Sequence, residues 1–440
     1  MTAELIDLPM TSSKSVDRTR SRVMLLLLVV MTGIAPISLY MLVPALPELA
    51  RTFDADISIA QMTVSLYMVG LAFSQLIMGP LSDRFGRKPV LLAGLSLMVI
   101  AGIGSSFAIT LPQLIAARFF QALGGATGMV MSRAIIRDLY PRERVGPMIS
   151  LVIAVMMIAQ MLSPLAGGLL ETGFGWRAIF YTVTVASLLV TLAIAFLLPE
   201  TRKRAISDTG GGGFIADSKV LFGSRAFIGY LLCYVMASWI IFTFAGGGPY
   251  VVVNQMGRSS AEYGAWFATS GLAYLLGNLA CVRFAPRRTI EQLIWFGLAL
   301  QLSGALLNVV WGLTGLNQNP AWLFLTHMIV MFGNAFVMSN GAAGALSIRP
   351  QAAGAASGMM GFMQMGFGAL CSQGGAWLGG HFATPVALNL SLVVLSCGCA
   401  AAMIFLVPRR KVVMTEKLIE KAESEASVQR ALRRVGSLAT

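Results

Sequence analysis

Long apolar runs alternate with short polar ones along almost the whole chain. A helix that crosses a bilayer needs about 20 mostly apolar residues. Runs of that kind recur near 23–45, 60–81, 89–109, 112–134, 147–169, 177–198, 226–247, 263–282, 292–314, 321–346, 354–377 and 384–407. Helix is the state this length demands, because a lone segment in lipid has to satisfy its own backbone hydrogen bonds. The pattern predicts an all-α membrane protein with twelve transmembrane helices. The ninth to eleventh runs are the least sharply bounded, since Gly and Asn interrupt them. The longest internal polar stretch, 200–225, separates six runs from six. It holds Arg202, Lys203, Arg204 and four consecutive glycines at 210–213, a composition that describes a flexible tether.

Composition agrees with lipid as the main solvent. Hydrophobic residues are 56% of the chain and charged residues 12%, about half the share of roughly 25% in a soluble domain. Mean hydropathy is +0.76. A net charge of +13 would point a soluble domain toward nucleic acid; here the cations are topology signals and no nucleic-acid partner is expected. With the N-terminus inside and the spans alternating, cytoplasmic segments hold 27 of the 32 Lys and Arg residues. The periplasmic loops hold Arg51, Arg177 and Arg258, and Arg118 and Arg133 fall within the fourth span. A missed or extra helix would invert every later loop and destroy this excess.

The expected organisation is a cytoplasmic tail at 1–22, a six-helix bundle at 23–199, a cytoplasmic linker at 200–225, a second bundle at 226–407 and a cytoplasmic tail at 408–440. The polar start with Lys14, Arg18, Arg20 and Arg22 could imitate a secretory signal, but the apolar run that follows reaches Val43, well beyond the about 7–15 residues of a signal core. The five cysteines lie in or beside apolar segments without the spacing of a metal site. There is no phosphate loop ending in Gly-Lys-Ser/Thr, and two distant histidines with no paired carboxylates make no catalytic cluster. No enzyme activity, catalytic residue, metal or cofactor is expected.

The densest motif is Gly-Pro-Leu-Ser-Asp-Arg-Phe-Gly-Arg-Lys-Pro at 79–89, four charges in a glycine-punctuated stretch between two spans. Gly79 and Gly86 suit a tight turn and close helix approach, and Asp83 can pair with a cation or cap a helix N-terminus. Arg118, Gln121, Gly124 and Gly125 form a second motif within the fourth span. A cation at membrane depth is costly and needs a polar cavity or partners. Arg133, nearer the cytoplasmic end, is expected to snorkel or pair with Asp138. Pro164, Gly167 and Gly168 close the fifth span and permit bending and close packing.

These motifs resemble those of the major facilitator superfamily. With Pro44-Ala45-Leu46-Pro47, Arg133 to Asp138, and Gly246 to Tyr250, the chain is similar to the bicyclomycin- and chloramphenicol-resistance branch of drug:proton antiporters. The second half carries a faded echo of the opening motif in Gly277, Arg283, Pro286, Arg287 and Arg288. The resemblance implies two six-helix pseudo-repeats around a central substrate site. It also implies a loop that latches the halves in one state, a role carried to Gly79, Asp83, Arg84, Gly86, Arg87 and Lys88. Pro164, Gly167 and Gly168 correspond to its antiporter motif. By implication the protein is a monomer of the bacterial inner membrane. It would exchange a small amphipathic drug or toxic metabolite for a proton.

In that architecture helices 1, 4, 7 and 10 surround the cavity. The side chains there with suitable chemistry are Tyr40, Arg118, Gln121, Trp239, Phe242, Met331 and Asn334, joined by Gln160, Met363 and Gln364 from helices 5 and 11. The branch usually carries an Asp four residues before its Pro-Ala-Leu-Pro sequence, where this chain has Tyr40, and none of its 19 acidic residues sits mid-span. His327, the one histidine at membrane depth, is a candidate proton site; a packed neutral imidazole is the competing reading. With Arg118 as the deep charge, neutral or anionic cargo is expected. Transport of one specific metabolite, such as a siderophore or organic acid, and a non-transporting sensor remain open alternatives.

Overall fold

The computed structural model describes residues 14–140, 142–201, 214–314, 319–349, 352–382 and 384–407. Twelve long helices carry the fold: α1 Lys14–Leu42, α2 Ile57–Phe85, α3 Arg87–Ser106, α4 Leu111–Leu139, α5 Arg142–Phe174, α6 Arg177–Leu197, α7 Arg225–Pro249, α8 Ser260–Phe284, α9 Ile290–Thr314, α10 Pro320–Ile348, α11 Ala353–His381 and α12 Val386–Phe405. No strand occurs among the described residues. Several helices run past the apolar stretch that predicts them, because polar caps lie outside the apolar core. Asp56 accepts the Ser58 amide at 2.7 Å to start α2, and Asn319 accepts the Ala321 amide at 3.0 Å to start α10, with Pro320 at the first helical position. Both satisfy donors that a helix start leaves orphaned.

Eleven of the described helices are long and apolar enough to cross a membrane. The exception is α11, whose 29 residues include many Gly and Ala with Gln364 and Gln373. Its length suffices, and its low apolarity follows from its neighbours. It packs against α7 on one side and α2 on another and lines an internal cavity. A helix largely covered by its neighbours needs an apolar surface only where it is exposed, as at Leu370 and Trp377.

The packing repeats. In the first half α4 packs on α2 and α3, α1 on α4, α5 and α6, and α3 on α6. In the second half the helices six positions later make the same pairs: α10 on α8 and α9, α7 on α10, α11 and α12, and α9 on α12. The halves meet along α2–α11 and α5–α8, two contacts that the same repeat interchanges.

The charged motif is less of a loop than its composition suggests. α2 continues through Pro80 to Phe85 and α3 begins at Arg87, so Gly86 alone makes the turn. Its φ of +100° is a conformation that a side chain disfavours. The expected tether at 200–225 has a helix at Phe214–Phe222; its glycines at 210–213 and the tail at 408–440 lie outside the described residues.

Candidate functional site

A cavity of about 570 Å³ lies between the halves, lined by α1, α2, α4 and α5 from the first and α7, α8, α10 and α11 from the second. At one end the halves are joined. Gln61 Nε2 donates to Ser372 Oγ (2.8 Å), Ser65 Oγ to Gln373 Oε1 (2.9 Å), Gln373 Nε2 to the Ser58 carbonyl (2.5 Å) and Arg51 Nη2 to Asn254 Oδ1 (3.2 Å). Gly168 of α5 sits against the Ser260 carbonyl of α8 so closely that a Cβ would overlap it. Pro164 belongs to the same seam, its carbonyl meeting Gly264 of α8, whereas Gly167 meets the Met41 carbonyl of α1 within the first half. Small residues permit this backbone approach. Toward the other end, that of the α2–α3 turn, the lining continues through Arg133, Ile136, Ile149, Leu346 and Ser357, close to the α4–α5 and α10–α11 connections.

The wall is apolar and adaptable. It carries eight methionines, among them Met129, Met157, Met331 and Met360, together with Tyr40, Tyr234, Phe242, Phe267 and Tyr274. Methionine fits many shapes because it is unbranched, flexible and polarizable. Polar groups are few, and among the described residues no carboxylate lines the cavity. Tyr234 donates to Gln364 Oε1 at 2.8 Å, and Gln75, Gln160 and Ser238 also reach the wall.

The structure brings Tyr40, Phe242, Met331, Gln160 and Gln364 together on this wall and places the other expected residues behind it. Arg118 is fully buried inside the first half. Its Nη1 donates to Ser38 Oγ (2.8 Å) and Gln121 Oε1 (2.6 Å), Nη2 to the Ser38 carbonyl (3.3 Å) and Nε to the Thr63 carbonyl (3.4 Å). The guanidinium also lies 3.8 Å over the Tyr67 ring, a cation–π contact. Its charge is spent on α1, α2 and α4, so Arg118 is a tie between helices and not a cavity charge, and Gln121 is consumed in the same tie. Asn334 accepts from Gln301 Nε2 at 3.1 Å inside the second half. His327 is buried, its imidazole stacked 3.6 Å from the Phe244 ring. Trp239 and Met363 pack into the cores beside the cavity, Trp239 with its ring 5.9 Å from Phe367.

Among the described residues Arg133 is the one charged group on the cavity wall. It does not pair with Asp138, because Asp138 Oδ2 is taken by Arg87 Nε at 3.3 Å. Sequence spacing carried the signal: Met129, Ser132, Arg133 and Ile136 stand at helical intervals on one face of α4, and all line the cavity.

The α2–α3 turn organises its own half. Arg87 Nη1 holds Asp83 Oδ1 (2.6 Å) and Ser82 Oγ (2.5 Å). Glu200, beyond α6, accepts the Arg87 and Lys88 amides at 3.1 Å each, and Lys88 Nζ donates to the Ala195 carbonyl at 2.8 Å. A carboxylate at the start of α3 suits the helix dipole. These contacts of Asp83, Arg87 and Lys88 tie the turn to α4 and α6, all in the first half. Arg84 lies 5.3 Å over Phe85, and Gly79 faces open space.

Residues 28–372 match the family model described as Major Facilitator Superfamily. The chain belongs to the major facilitator superfamily. Within the superfamily it is 30% identical to "Multidrug resistance protein D" of Escherichia coli (strain K12), over 81% of this chain and 89% of that one. It is 28% identical to the "Bicyclomycin resistance protein homolog" of Haemophilus influenzae, over 79% of this chain and 87% of that one. A "Chloramphenicol resistance protein" of Pseudomonas aeruginosa is 28% identical over 66% of this chain and 70% of its own length. These relatives support the drug-efflux branch of the superfamily. The fold also superposes on a D-xylose-proton symporter with a TM-score of 0.70 at 16% identity, covering 89% of this chain and 98% of that one. As a superfamily member the chain is a multi-pass membrane transporter of small molecules.

Proposed function

We propose that this transporter exports small amphipathic drugs or toxic metabolites across the bacterial inner membrane, and that rocking of the two halves exposes the central cavity to each side in turn. The observation that carries this reading is the cavity itself. It is Met- and aromatic-lined, sits between two repeated halves, and is sealed at one end and lined out to the other. With both termini cytoplasmic, as the cation distribution requires, the open end faces the cytoplasm, where an exporter loads. The resistance names of the relatives give the cargo class. Flexible apolar walls suit a promiscuous binder better than a site for one polar metabolite. The protein acts as a monomer and carries out no catalysis.

Proton entry drives export. Among the described residues no carboxylate lines the cavity. His327 is the buried candidate; it lies off the cavity wall, with its imidazole stacked on Phe244.

Chloramphenicol flux in proteoliposomes with an imposed pH gradient tests the proposal. Uptake into everted vesicles that collapses with the gradient is the expected result. Flux indifferent to the gradient removes the proton, and absence of flux removes export.

A further inference from the structure

Resting on the export reading, we infer that Arg133 is an anion-binding group in the cavity and that the preferred cargo is an amphipathic organic anion, an apolar or aromatic body carrying one carboxylate, sulfonate or phenolate. Three observations converge. Arg133 is exposed while lying within a membrane-spanning helix, and the surface it is exposed to is the cavity. Its guanidinium has no hydrogen-bond or ion-pair partner among the described residues, and the nearest acid in sequence, Asp138, is held by Arg87. Among the described residues no Asp or Glu lines the cavity to neutralise it.

A lone cation among apolar walls is poorly solvated and poorly screened, so it gains more from a counter-anion than a surface arginine does. Its planar fork suits carboxylate and sulfonate oxygens. The surroundings add a second donor: Tyr234 donates to Gln364 Oε1, which leaves the Gln364 amide nitrogen for a ligand. Met129, Met360 and Phe242 offer the body of the ligand a flexible apolar surface. A lipophilic cation meets the same shape with unfavourable charge, so selection here rests on repulsion as well as attraction.

Three probes with one ring system isolate charge: naphthalenesulfonate, naphthalenesulfonamide and naphthyltrimethylammonium. Equilibrium dialysis against the purified full-length protein should rank them in that order. Arg133→Gln should weaken sulfonate binding by about ten- to hundredfold, the worth of a charged hydrogen-bonded contact, and leave the sulfonamide within about twofold. Arg133→Lys should recover part of the sulfonate affinity. The inference is overturned if Arg133→Gln lowers all three probes equally, or if the wild-type ranking persists in the variant. Chloramphenicol export by the same wild-type preparation reports separately on the export reading. If export fails while the sulfonate still depends on Arg133, the anion site stands and the direction of transport is wrong. If export holds and the ranking ignores charge, only the anion site falls.

Discussion

Two arginines on one helix have opposite fates. Arg118 and Arg133 both lie within α4, Arg118 nearer its Leu111 end and Arg133 nearer its Leu139 end. Arg118 is fully buried, with four hydrogen bonds and an aromatic face. Arg133 is exposed to the cavity with no partner among the described residues. The first holds helices together and the second waits for something outside the protein. Helix and residue type are shared, so the difference lies in depth, in rotation about the helix axis and in what the neighbouring helices offer. A buried cation in a transporter is not evidence for a binding site until its partners have been counted.

The largest test of this contrast is stability. Arg118→Ala removes a large buried side chain and orphans Ser38 Oγ and Gln121 Oε1 as acceptors, so it should cost about 3–5 kcal/mol. Arg118→Met restores much of the volume and should recover the cavity part of that loss. Arg133→Ala should change stability by within about 0.5 kcal/mol. Thermal unfolding of the purified variants in one detergent reads all three. Equal losses at the two arginines would break the comparison.

A middle case sharpens it. Asp138 and Arg87 are partnered but only partly buried. Asp138→Ala leaves Arg87 with Asp83 and Ser82 and should cost about 1.5–3 kcal/mol, the range for a hydrogen bond to a charged group. It should leave the cavity's charge preference intact, because Arg133 does not use Asp138. A change in sulfonate affinity in Asp138→Ala would show that the two arginines share this acid.

The fold was far more legible in the sequence than the site. Apolar runs, charge asymmetry and the glycine-rich motifs were enough to anticipate the helices and the transporter family, because lipid imposes length and hydrogen-bonding rules that few sequences satisfy by accident. The eleventh run was among those the sequence bounded least sharply because Gly interrupts it, and its close packing on α2 and α7 explains that composition. For the site, knowing which helices surround a cavity does not say which face of each helix turns toward it. Tyr40, Phe242 and Met331 reach the wall, whereas Arg118, Gln121 and Asn334 satisfy one another or their neighbours inside a half. Polar residues in membrane helices bond across helices as readily as they line a pore, and composition cannot separate the two uses. The role of Glu200 was hidden for another reason. It lies beyond α6, and only the folded chain brings it to the start of α3.

A small loss is expected where a charge has a partner but no burial. Asp56 caps α2 through the Ser58 amide at the sealed end of the cavity, and that hydrogen bond holds its carboxyl below the usual carboxylate range. Asp56→Ala should cost about 0.5–2 kcal/mol at neutral pH, as for other helix caps. The sign of its pH dependence follows from the lowered value. The ionised cap binds the amide better than the protonated one, so this part of the stability is fully present above the unfolded value of about 3.9. It is lost as the pH falls through the folded value. Wild type and Asp56→Ala should therefore converge in acid, while Asp56→Asn, which caps without a charge, should keep a difference from Asp56→Ala that does not titrate. Thermal unfolding of the three proteins across that range checks the point. If Asp56→Ala proved as damaging as Arg118→Ala, neither the number of partners nor the burial that distinguishes Arg118 would set the cost of a lost charge.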